Sequence, residues 1–233
     1  MTRDLLQTFA LVVLLSSAVS AAPAIAQSAV VNFPVIGRVT VEAREEVGKF
    51  PQMVFTSQRT HEQLLLSSIE DKDKWLIPLA DEPSFARPVV RFRVIRARGL
   101  RSPMIMAVAL RTGGSDNGFC LAMFTEVGGK VRRLNDGPFF TNVQGGYFFG
   151  YLNKRFGYGL AVWNFIWDHG PHYTDHKYHL DIYRLRNGNL RRTFQTVSRR
   201  TYYTGKGAHA LLELGIKAYD QRDGIPNIRD ATK

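Results

Sequence analysis

One cysteine, Cys120, in 233 residues excludes an intramolecular disulfide, so packing has to supply the stability. Acidic residues are also scarce: 20 Asp and Glu stand against 31 Lys and Arg, a formal charge of +11. A surface so charged favours acidic partners over basic ones. No uninterrupted apolar run approaches the roughly 20 residues a membrane-spanning helix needs. Walker and Rossmann glycine patterns, G-x-S-x-G and H-E-x-x-H are all absent, so no familiar nucleotide, serine-hydrolase or zinc-protease signature is present.

The N-terminus has the make-up of a secretory signal. Arg3 supplies charge, Phe9 to Leu15 form an apolar centre, and Ala24-Ile25-Ala26 offers a small-x-small cleavage site. The expected division is a signal peptide over 1–26 and one exported β-rich domain over 27–233, in the periplasm or outside the cell. Losing Arg3 and Asp4 with the leader leaves the net charge at +11, and no transmembrane segment is expected afterwards.

Beyond the leader, one pattern recurs: strand, short polar turn, strand. Leu64 to Leu79, Cys120 to Leu134 and His179 to Phe194 share it, with turn pairs Lys72-Asp73, Gly128-Gly129 and Asn187-Gly188 spaced 56 and 59 residues apart. Gly-Gly and Asn-Gly suit the positive φ angles of two-residue hairpins. Two further apolar runs precede each hairpin. They begin at Gly37 and Met53, at Val90 and Met104, and at Gly146 and Leu160. The expected fold is mainly β, with about three tandem four-stranded antiparallel units over roughly 35–80, 88–135 and 145–197. Such units form a partial propeller or a β-sandwich, each hiding its apolar face on a neighbour. Leu211, Leu212, Ile216 and Tyr219 at helical spacing predict a short C-terminal helix over about 208–219 that caps the terminal sheet.

Three segments carry chemistry. The stretch 168–179 holds four of the six histidines and two aspartates. Imidazole and carboxylate are good transition-metal ligands, and His172, Asp175 and His176 are the candidate set. A water on an open coordination position there would make a metal-dependent hydrolase. The competing reading is a polar loop whose histidines bond to the backbone. Arginines form the second group. Arg91 and Arg93 alternate with Phe92 and Val94 on one strand, and Arg132-Arg133 and Arg191-Arg192 follow the later turns. Their planar forks suit carboxylate and phosphate, so these six are the candidate anion-binding residues, unless they are only solvated edge charges. The third group is aromatic, from Phe139 to Trp167, and is read as core; exposed rings there would instead stack on sugars.

The favoured reading is an exported non-enzymatic β scaffold that binds an acidic polymer, a glycan or membrane-surface headgroups. The alternative is the hydrolase of the histidine loop. No cofactor is expected unless that loop takes a divalent transition metal. Nucleic acid is disfavoured, since no recognised binding motif occurs.

Overall fold

Alternation of apolar and polar side chains gives each strand two unlike faces, and the chain uses these faces to stack three antiparallel sheets in a row. The computed structural model describes residues 24–45, 52–66, 89–96, 101–110, 119–134, 139–141, 145–167, 171, 173–186, 189–203 and 205–218. The first sheet orders β1 (Ala24–Phe33), β2 (Gly37–Glu45), β3 (Gln52–Ser57) and β4 (Gln63–Leu66). The second orders β5 (Val89–Ile95), β6 (Met104–Leu110), β7 (Phe119–Val127) and β8 (Lys130–Arg133), with the two-residue β9 (Phe139–Phe140) on the far end of β7. The third orders β10 (Gly146–Asn153), β11 (Gly157–Phe165), β12 (Tyr178–Arg186) and β13 (Asn189–Val197). Each is a plain meander in sequence order.

Three cores alternate with these layers. Val31, Phe33, Val41, Met53 and Phe55 of the first sheet meet Phe92, Ile105, Ala107 and Phe124 of the second. The opposite face of the second sheet, with Met104, Met106, Leu121 and Met123, meets Tyr147, Phe149, Leu160 and Val162 of the third. The remaining face of the third sheet holds Phe148, Ala161, Trp163, Phe165, Leu180 and Ile182 under the C-terminal helix. Among the described residues no core joins the first sheet to the third, so the units form an open stack. The strand around Trp163, read as core, is buried on both faces because of this order.

Polar contacts join the first sheet to the second at two points. Gln27 places its side-chain amide against the backbone of Phe92, donating to the carbonyl at 2.7 Å and accepting from the N–H at 2.8 Å. The Glu126 carboxylate accepts the N–H groups of Val35 and Ile36 in the β1–β2 turn.

Turn chemistry sets the registers. Gly128 and Gly129 both have positive φ, as a two-residue hairpin turn requires, and Val127 pairs with Lys130 across them. The first unit departs from the sequence expectation. The run from Gly37, expected as its first strand, is the second, because β1 pairs along it from Ala24↔Glu45 to Phe33↔Gly37. The turn that corresponds to Gly128-Gly129 is therefore the one after β3, at 58–62, and Lys72-Asp73 lies outside the described residues. The expected cleavage point after Ala26 falls within β1, at the register shift between Ile25 and Gln27.

The cap is a 3₁₀ helix, Gly207–Leu214, rather than a longer helix to 219. Its burial repeats every three residues, as this helix type dictates. Gly207, Ala208, Ala210 and Leu211 face the sheet, while His209 and Leu212 face solvent. Leu212, expected to pack on the sheet, is therefore 53% exposed. Leu211 and Ile216 are buried as expected, and Tyr219 lies outside the described residues. A Cβ on Gly207 would sit 2.6 Å from the Tyr178 ring and 2.7 Å from that of Trp163, so only glycine allows this close approach.

Candidate anion-binding surface

The register of the last hairpin concentrates positive charge. Arg186 pairs with Asn189, which leaves two residues for the turn, and counting outward places Leu185 opposite Leu190 and Arg184 opposite Arg191. Directly opposed side chains on antiparallel strands have Cβ atoms only about 5 Å apart, and like charges there repel. Arg184 also lies across from Gly159, and its Nη2 is 3.4 Å from where a Cβ on Gly157 would sit. Gly157 thus leaves room for the guanidinium, while Gly159 admits the close approach of the β12 backbone.

Arg155 adds a third charge from the β10–β11 turn. The Asn153 Oδ1 accepts the N–H groups of Arg155 and Phe156, each at 2.9 Å, while its Nδ2 donates to the Leu214 carbonyl at 2.9 Å. One amide therefore shapes the turn and ties it to the end of the helical cap. Held this way, the Arg155 guanidinium lies 4.8 Å from the Phe156 ring centroid and 4.9 Å from that of Phe194. Both rings hold it by cation–π attraction. Lys154 is exposed beside it. Among the described residues no carboxylate pairs with Lys154, Arg155, Arg184 or Arg191.

Strand alternation disperses the arginines that the sequence groups together. Arg91 and Arg93 share a face of edge strand β5 with Ile95, turned toward the third sheet, and each already makes contacts of its own. Arg132 pairs opposite Thr125, and Arg133 opposite Phe124 on the other face, where it too has a partner. Arg191 and Arg192 part in the same way: Arg191 joins Arg184, and Arg192 turns toward the second sheet and meets Asp181 at 3.5 Å. Of the six candidates, Arg191 alone belongs to the cluster of unpaired cations on the capped face. Arg155 and Arg184 complete that cluster and were not singled out from sequence.

The histidine loop gathers no metal site among the described residues. His172 lies outside them, and Asp175 is exposed. His176 is buried and stacks on Phe165 with ring centroids 4.1 Å apart. Its Nε2 lies 3.0 Å from the Pro171 carbonyl and 2.9 Å from the Thr174 hydroxyl, so this nitrogen is engaged within the loop. The same carbonyl takes the Thr174 N–H and hydroxyl, and the His176 backbone bridges Tyr202. His176 therefore organises the loop through its ring and its backbone.

Beside the arginine surface, Glu213 of the cap accepts the N–H groups of Arg199 and Arg200 and the Tyr202 hydroxyl. Burial raises its carboxyl pKa, but these donors outweigh burial and hold it below its ordinary value. No family model matches the chain, and neither the curated proteins nor the solved structures contain a match.

Proposed function

We propose that this protein is an exported, non-enzymatic β scaffold that holds an acidic, glycan-like partner of the cell envelope or extracellular space. The observation that carries this reading is the Arg184–Arg191 pair, two cations set opposite each other with no carboxylate paired to them among the described residues, and Arg155 held on Phe156 and Phe194 of the same face. An acidic group supplied by a partner would relieve their repulsion, and the guanidinium forks suit its planar oxygens. The charge of +11 would speed the approach of such a polymer. Among the described residues no helix is long and apolar enough to cross a membrane. No cofactor is part of the proposal, and the hydrolase alternative has no observation in its favour.

The test is binding of a soluble polygalacturonate, with dextran as the neutral control, across a salt series. Affinity for the acidic polymer should fall steeply with salt, and Arg184→Ser with Arg191→Ser should reduce it at least about tenfold and flatten that dependence. Unchanged affinity in the double variant overturns the assignment of this surface. For the exported form, mass spectrometry should find Gln27 as the first residue; an intact Met1 refutes export with cleavage.

A further inference from the structure

Exposed aromatic rings gather at the loop end of the third sheet. Trp167 is 61% exposed and Tyr173 and Tyr203 are 60% exposed, and all three stand around the contact between Phe165 and His176. Phe165 belongs to the capped face, and the Trp167 ring meets it edge-on at 4.9 Å, so Trp167 lies on that side too. Tyr173 adjoins Thr174, whose hydroxyl is 2.9 Å from the His176 ring. Tyr202 pairs with His176, and the next residue, Tyr203, accepts the Lys206 N–H on its carbonyl in the turn that opens the cap.

The cap carries this surface along the sheet. Gly207 sits against the Tyr178 and Trp163 rings at one end, and the Leu214 carbonyl is bonded to Asn153 of the β10–β11 turn at the other. Lys206, His209 and Leu212 follow one another every third residue on its outward side, the spacing that keeps a 3₁₀ row in line. Arg199 and Arg200 are exposed where their backbone meets Glu213. Among the described residues Glu213 and Asp175 are the acidic groups here, and Arg199, Arg200 and Lys206 outnumber them before the arginine surface on the same face is added.

We propose that the capped end of the stack docks on an anionic phospholipid bilayer, with Trp167, Tyr203 and Leu212 set into the headgroup layer and Arg199, Arg200 and Lys206 against lipid phosphates. Trp and Tyr favour the headgroup level, where an amphipathic ring keeps one end dry and the other wet. Basic side chains beside them are drawn to the negative leaflet. Two features favour a bilayer over the acidic polymer of the arginine surface. Leu212, 53% exposed, gains nothing from a hydrated sugar chain and is removed from water at the acyl boundary. The groups also extend from the Trp167 loop to the far end of the cap, a long front that suits a planar partner. The inference does not rest on the polymer reading.

The experiment mixes the full chain with vesicles of phosphatidylcholine, alone or with phosphatidylglycerol, and reads co-sedimentation and tryptophan emission. Stronger binding to the anionic vesicles is expected, with a blue-shifted emission that Trp167→Ser removes. The apolar segment Phe9 to Leu15 also favours lipid, so the decision rests on variants of the cap surface. Leu212→Ser and Trp167→Ser, both at exposed positions, should each weaken binding to anionic vesicles at least about threefold and leave polygalacturonate binding as in the wild type. Arg184→Ser with Arg191→Ser should keep the blue shift. The proposal is overturned if the anionic vesicles are not bound, or if they are bound with the emission of the free protein and equally well by both single variants. A Trp167 emission shift with dextran or polygalacturonate and none with vesicles overturns it as well, and makes the rings a sugar platform.

Discussion

The two ends of the stack solve one problem differently. The outward face of the first sheet carries Thr40, Glu42, Arg44 and Thr56, an ion pair between Glu42 and Arg44, and an exposed Val30; Val54 is its buried apolar residue. The outward face of the third sheet is apolar and lies under a helix of small residues. Among the described residues, one end thus presents polar side chains and the other carries an added layer. That layer leans on β10, β11 and β12. Toward the β13 turn, Arg155, Arg184 and Arg191 occupy the same face. Uncompensated charge therefore collects beside the cap, where a partner can reach it.

The largest effect should come from breaking the capped end. Leu211→Ala removes a fully buried side chain from the helix–sheet core and should cost about 2–5 kcal/mol in denaturant unfolding. Val30→Thr at the other end, 52% exposed, should change stability by less than about 0.5 kcal/mol. Equal costs would mean that the first sheet has a covered face of its own. Next comes the joint that holds the first sheet to the second. Glu126→Ala strands the Val35 and Ile36 amides and should cost about 1.5–3 kcal/mol, read in the same assay.

The hairpin registers show how far counting along the sequence reaches. The pairing of Arg186 with Asn189 fixes the opposition of Arg184 and Arg191, so that pair was available from sequence once register, rather than adjacency, was followed from the Asn-Gly signal. Adjacency misled because neighbours on a strand point apart, which is why Arg132-Arg133 and Arg191-Arg192 do not act as pairs. The extra residue Thr193, between Arg192↔Tyr183 and Phe194↔Ile182, has no comparable signal. The first unit was displaced by one strand because β1 begins inside a segment with the composition of a leader, and composition says nothing about pairing.

Acid should loosen the cap before the rest of the stack. The Glu213 carboxyl titrates below its ordinary 4.5 in the folded state, so the unfolded chain binds the proton more readily. Its contribution is therefore complete above the unfolded value and is lost as pH falls through the folded one. Glu213→Gln should cost about 1 kcal/mol at neutral pH and flatten the acid limb of the stability curve. An acid limb identical to wild type would show that the Arg199, Arg200 and Tyr202 donors add nothing in solution.

The smallest effect is the most specific to the capped end. If Arg184 and Arg191 repel across the hairpin, removing one charge should stabilise the isolated protein. Arg191→Thr also places a β-branched residue on a strand, where it packs well. A gain of about 0.2–1 kcal/mol is expected at low salt, shrinking as salt screens the pair. Adding polygalacturonate should reverse the ranking, because a ligand that binds only the folded state stabilises the wild type by mass action and the variant less. A variant that is less stable without polymer would mean that the two guanidiniums already share a favourable arrangement, and the charge beside the cap would then be structural.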